Sequence, residues 1–143
     1  MSKIIIGFWS QSGNTEAMAN AIGEGVAAAG KEVEVSNISN LDAKDLEKIE
    51  VFALGCPAMG VEEIEDSEME PFVEKVEKIV ERKTVALFGS YGWGDGQWMR
   101  DWEERMSSAG AKILNGEGLI CLETPDEDVL EQCRNLGKEL ASI

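Results

Sequence analysis

Residues 9–16 read Trp9-Ser10-Gln11-Ser12-Gly13-Asn14-Thr15-Glu16. They follow the apolar run Ile4-Ile5-Ile6-Gly7-Phe8 and precede Met18, Ile22 and Val26, spaced i, i+4, i+8, so they occupy the turn that leaves a strand and opens a helix. A loop of hydroxyls and small residues in that place can aim several N–H and O–H groups at one point, and the helix adds the positive end of its dipole. Such a point suits an anion, and phosphate is the commonest ligand there. Ser10, Gln11, Ser12, Gly13, Asn14 and Thr15 are therefore candidate binding residues, with Gly13 allowing close approach of the backbone. The plainer alternative is a helix N-cap and nothing more. The loop holds no Lys or Arg.

Outward from this turn, five strand-like runs alternate with helix-like segments. The strand runs cover residues 3–9, 33–35, 49–56 and 84–88, and the last falls within 111–122, where Asn115-Gly116 and Gly118 mark a turn or bulge. Helices are expected over about residues 15–29, weakly over 41–48, then over 69–81 and 97–109. Thr124-Pro125-Asp126-Glu127 reads as a capping box with Pro at the first helical position, opening a helix that runs to about Ala141. The pattern predicts an α/β fold, a three-layer, doubly wound, five-stranded parallel sheet, with the ligand cleft between the first and third strands when the order is 2-1-3-4-5. Right-handed crossovers cover both faces only if the chain reverses its direction of travel, and the cleft at that reversal binds the ligand.

Three loops leave strands at that edge, and all three have unusual composition. Beside the first lie Pro57-Ala58-Met59-Gly60-Val61-Glu62 and Ser90-Tyr91-Gly92-Trp93-Gly94-Asp95-Gly96. Glycines around Trp93 leave a large flat ring free on one face, as a planar heterocycle requires. Met59 has the adaptable thioether to cover the opposite face. Trp98 and Trp102, four residues apart, read as packing on a helix face. Other phosphate motifs are missing: there is no GxxxxGK[ST], no GxGxxG after the first strand and no Cys-x5-Arg cradle.

Composition narrows the partners. The 143 residues match one domain spanning 1–143, and 28 acidic against 13 basic residues give a net charge of −15. That sign disfavours nucleic acid and anionic membranes as partners and suits a basic protein. No apolar run is long enough for a membrane span, and Met1-Ser2-Lys3 leads straight into a strand with no signal peptide in view, so the expectation is a cytoplasmic protein. Cys56, Cys121 and Cys133 are widely spaced and there is no histidine, so buried thiols and no metal are expected.

At these residues the sequence resembles the flavodoxins, in particular the short-chain type of anaerobic bacteria. Residues 10–16 look like the family's phosphate loop, and Gly55-Cys56-Pro57-Ala58-Met59-Gly60 and Gly89-Ser90-Tyr91-Gly92-Trp93-Gly94 look like its two flavin loops. The resemblance implies non-covalent FMN and a low-potential, one-electron carrier, monomeric, with no substrate of its own and so not an enzyme. The alternative is a small FMN-dependent NAD(P)H or quinone reductase, for which no second nucleotide motif is present. By resemblance, Trp93 stacks on the outer flavin face, Met59 covers the inner face, Ser90 assists the phosphate loop and Glu62 accepts from the pyrimidine edge. Gly60 matches the position where family members flip a peptide to serve N5–H of the semiquinone, a change glycine tolerates because one conformer has positive φ. Val61 departs from the Asp or Ser common in relatives. Redox proteins are expected to dock on the acidic rim. Six carboxylates fall between Glu62 and Glu70, and at about 10 Å in water-like dielectric each opposes an added electron by roughly 0.4 kcal/mol. Together that is about 2.4 kcal/mol, on the order of 100 mV, before screening reduces it to about a third.

Overall fold

The computed structural model describes residues 3–60 and 62–143. Alternation along the first strand sets its layers: in β1 (Ile4–Phe8), Ile4, Ile6 and Phe8 join one core and Ile5 the other. Helix α1 (Asn14–Ala28) returns to β2 (Val33–Asn37), and the chain then crosses to β3 (Val51–Gly55). Next come α2 (Met69–Val76), β4 (Thr84–Tyr91), α3 (Gln97–Ser108), β5 (Lys112–Ile113), β6 (Leu119–Leu122) and α4 (Glu127–Ala141).

All strand pairs are parallel, in the order β2-β1-β3-β4-β5, with β6 also on β4. The order is the expected one, but the fifth strand is split into two, making six. Asn115 (φ 65°) and Gly116 (φ 77°) take left-handed backbone between the halves and break the pairing. The register aligns Phe8, Gly55 and Phe88 across the sheet, and β4 runs three residues farther to Tyr91, opposite Leu122. The site loops therefore leave from a stepped edge.

One face of the sheet is covered by α1 and α4, with Met18, Ile22, Val26, Cys133, Leu136 and Leu140 in its core. These helices meet backbone to backbone: a Cβ at Gly25 would lie 1.9 Å from the Arg134 carbonyl oxygen, and one at Gly137 2.0 Å from that of Ile22. The other face carries α2 and α3, with Phe72, Val76, Trp98, Trp102 and Met106 against Phe52, Leu54 and Leu87. Trp98 and Trp102 are packing residues, as expected, and the three cysteines are buried and unbridged.

Three expected helix limits need correction. Residues 41–48 do not form an α-helix but a 3-10 turn, Ala43–Leu46, after a first one at Ile38–Asn40. Asn37 and Asp42 side chains accept from the N–H groups two residues on, so local bonds replace the α ladder. Helix α2 stops at Val76 rather than near 81. Its chain tightens to i→i+3 bonds, Lys78 N–H to Lys75 and Ile79 N–H to Val76, and carries Val80 into the core. The cap of α4 is Asp126, whose carboxylate accepts from Val129 N–H at 3.0 Å, so Pro125 precedes the cap. Among the described residues no helix is long and apolar enough to cross a membrane.

Candidate functional site

The turn after β1 is folded by Ser10. Its Oγ accepts from Gly13 N–H (3.1 Å) and Glu16 N–H (3.3 Å), curling the loop on itself while Gly13 (φ 93°) redirects the chain into α1. The N–H groups of Gln11, Ser12 and Thr15 find no acceptor among the described residues. Thr15 and Ser90 are buried, and their hydroxyl oxygens lie 3.0 Å apart. Two hydroxyls carry two hydrogens and their contact uses one, so the pair keeps one to donate outward. Neutral donors thus converge at the start of α1, the arrangement a phosphate needs.

The second loop is anchored at both ends. Ala58 N–H donates to the Ser90 carbonyl at 3.0 Å, and Met59 and Glu63 pair antiparallel through two backbone bonds of 2.7 and 2.9 Å, closing a small hairpin. Gly60 (φ 52°) is exposed at its tip and Met59 is half-buried. Val61 lies outside the described residues. Under the hairpin, Cys56 donates from Sγ to the Pro57 carbonyl and accepts from Glu65 N–H, both at 3.4 Å. Burial pushes its thiol up to about 12, so it serves as a neutral strut.

Glu65 closes the start of α2. Its carboxylate accepts from the N–H groups of Ser67 (2.9 Å), Glu68 (2.7 Å) and Met69 (2.9 Å), and from the Ser67 hydroxyl. Desolvation works to raise its pKa, and these donors outweigh it, bringing it down to about 2. The acidic stretch is therefore not six equivalent charges. Glu65 is held in a cradle of N–H groups, and Glu70 is paired bidentately with Arg105 (2.7 and 2.7 Å), which lowers its pKa. Of the six, only Glu63, Asp66 and Glu68 are exposed, Glu68 accepting from Trp9 Nε1–H at 3.1 Å. The field estimated for six free carboxylates is correspondingly reduced.

In the third loop, Tyr91 packs its ring on Trp98 at 5.4 Å and 44°, which leaves it half-buried. Gly92, Trp93, Gly94 and Asp95 then run out into solvent, and Trp93 is 62% exposed, far more than packing would leave it. A cleft of about 340 Å³ joins the loops, lined by Gln11, Ser12, Asn14, Pro57, Ala58, Met59, Ser90, Tyr91 and Gly92. Its size suits a small-molecule ligand. Glu123 and Thr124 line it too, beyond the residues singled out from sequence. Glu123, in left-handed backbone (φ 60°), donates its N–H to the Tyr91 carbonyl at 2.7 Å, and so turns the loop after β6 toward the cleft. The available signal was topological: this loop leaves a strand at the same sheet edge. Ser10, Gly13, Thr15, Gly60, Glu62, Trp93, Gly94, Asp95 and Gly96 do not line this cleft. Glu62 borders a neighbouring one of about 390 Å³ with Trp98, Trp102 and Arg105. No metal-binding cluster occurs among the described residues.

A family model described as flavodoxin matches residues 6–137. The chain belongs to the flavodoxin family. It is 46% identical over 142 residues to a flavodoxin of Clostridium beijerinckii, covering 95% of this chain and 97% of that one. It is 44% identical over 134 residues to a flavodoxin of Megasphaera elsdenii, covering 94% and 95%. The solution structure of two-electron reduced Megasphaera elsdenii flavodoxin superposes with a TM-score of 0.88 at 42% identity, covering 98% of this chain and 99% of that one. Flavodoxins are FMN-binding electron carriers, and the chain is accordingly an electron-transfer flavoprotein that works with redox partners, not an enzyme. The open donors at the start of α1, the exposed Trp93 and the unobstructed backbone at Gly92, where an added Cβ would meet nothing within 4 Å, fit a phosphate at one end of the cleft and a flat ring at the other.

Proposed function

We propose that this chain acts as a monomeric, cytoplasmic, single-domain carrier that holds FMN in the 340 Å³ cleft. The observation that carries this reading is the set of N–H groups at Gln11, Ser12 and Thr15 that find no acceptor among the described residues. These donors, with the Ser10, Ser12 and Thr15 hydroxyls, Asn14 and Ser90, hold the phosphate, each charge-assisted bond contributing about 1.5–3 kcal/mol. Met59 lies against one face of the ring and Trp93 against the other, contributing about 0.5–1.5 kcal/mol by stacking. Pro57, Ala58, Tyr91 and Gly92 form the walls between them and exclude water. Gly60 and Val61 supply backbone at the ring's central edge, Glu62 an acceptor at its pyrimidine edge, and Gly94, Asp95 and Gly96 the turn that carries Trp93. Bound FMN supplies the electron-accepting chemistry. The exposed carboxylates of Glu63, Asp66 and Glu68 form an acidic rim for a basic redox partner.

Titrating the cofactor-free protein with FMN tests the site. Stoichiometric uptake giving a yellow protein that turns blue on partial anaerobic reduction is expected, and failure to take up FMN would refute the assignment. Rapid unaided NAD(P)H oxidation by the loaded protein would instead favour a reductase. For the rim, electron transfer to a basic partner should slow as salt rises through a few hundred millimolar. Rates indifferent to salt would rule that docking mode out.

A further inference from the structure

Glu62 reaches across from one flavin loop to the other. Its Oε1 accepts from Gly96 N–H at 3.3 Å and from Gln97 N–H at 3.2 Å, so it caps α3, a helix with no side-chain cap from its own N-cap residue. Its Oε2 accepts nothing among the described residues. The carboxylate lies so close to Gly94 that a Cβ there would sit 2.5 Å from Oε1. The backbone of Glu62 is left-handed (φ 54°), a conformation that costs a non-glycine residue energy and persists when neighbouring contacts enforce it. Six residues earlier, the Cys56 carbonyl accepts from Nε1–H of Trp98, the second residue of the same helix, at 3.1 Å. The arch that begins at Cys56 is thus fastened to α3 both there and at Glu62, and Trp93 hangs on the loop that enters the same helix.

We propose that Glu62 is a positioning residue that ties this arch to α3 and sets the spacing between Met59 and Trp93 before any ligand arrives. The tie itself stands on the geometry of the chain, while its purpose rests on the reading of the slot as the FMN site. One carboxylate then serves two neighbours, with Oε1 held by α3 and Oε2 left for the ligand. The slot is preorganised, and binding does not have to order the two loops against each other.

Amide hydrogen exchange in the cofactor-free protein reads the tie directly. Glu62→Ala should speed exchange at Gly96 and Gln97 by at least about tenfold, and Glu62→Gln, which keeps an Oε1 acceptor, should restore most of the protection. Gly94→Ala leaves the carboxylate in the protein but puts a methyl group where it lies, and should speed the same two amides. In FMN titrations both Glu62→Ala and Gly94→Ala should weaken binding about tenfold or more, and the double variant should be little worse than either alone, because they break one connection. Unchanged exchange in Glu62→Ala would overturn the tie regardless of what FMN does. Faster exchange with undiminished FMN affinity in Gly94→Ala would overturn the positioning role while leaving the FMN site intact. A wild-type chain without FMN affinity would overturn the slot reading and the preorganisation with it, and the tie would stand or fall on exchange alone.

Discussion

Helices α1 and α2 begin in similar ways and end up with opposite roles. Each opens with N–H groups pointing away from the helix, and each lies beside a loop at the carboxyl edge of the sheet. At α2 the chain supplies its own anion: Glu65 accepts from three N–H groups and a hydroxyl. At α1 it supplies Ser10, which serves only Gly13 and Glu16, and leaves Gln11, Ser12 and Thr15 open. A filled cradle contributes to folding stability, whereas an open one keeps its interaction energy for a ligand. On the proposed function, the same local geometry is structural at one helix and functional at the other, and the difference is whether a carboxylate of the chain reaches it.

Filling the open cradle should break this contrast most severely. Ser12→Asp places a carboxylate among the free donors, so FMN affinity is expected to fall at least about 100-fold, close to 3 kcal/mol, while the cofactor-free chain keeps or slightly gains stability. FMN titration and urea melts of the same preparation measure the two effects. Emptying the filled cradle should act on folding alone. Glu65 has a folded-state pKa near 2 against an ordinary 4.5, so its stabilisation is present above about pH 4.5 and is lost as pH falls through 2. Glu65→Gln should therefore cost about 2–3 kcal/mol at pH 7, and its stability should converge on the wild type between pH 4.5 and 2. A deficit of equal size at pH 3 and pH 7 would contradict that account. The smallest effect is expected at a third helix start, remote from the cleft. Asp126→Ala removes the Val129 cap of α4 and should cost about 0.5–1 kcal/mol in a urea melt without changing FMN affinity.

The sequence carries the open cradle more plainly than the filled one. A hydroxyl-rich loop between an apolar run and a helical pattern is a local signal, and Trp93 among glycines stands out because nothing periodic explains it. Glu65 stands in a run where six of nine residues from Glu62 to Glu70 are acidic, and composition cannot distinguish the carboxylate that meets N–H groups from those that meet water. Glu62 is hidden for the same reason, since its bonds to Gly96 and Gln97 span more than thirty positions. Helix limits were missed where tertiary or local bonds overrode periodicity, as at Asp42 and Val80. Around Leu122-Glu123-Thr124 the sequence assigns no contact, because the part of Glu123 in the cleft comes from a left-handed turn after β6 that these residues do not announce.

A cradle built only from neutral donors, in a chain of net charge −15, also affects how quickly the cofactor arrives. An FMN phosphate dianion approaching this protein moves uphill in the long-range field and is rewarded only at contact, where the short-range N–H and O–H bonds form. Salt screens the approach far more than the contact, so it should hasten cofactor capture while weakening the embrace of a basic redox partner. On the proposed function, the two encounters share one sheet edge and should answer to ionic strength with opposite signs.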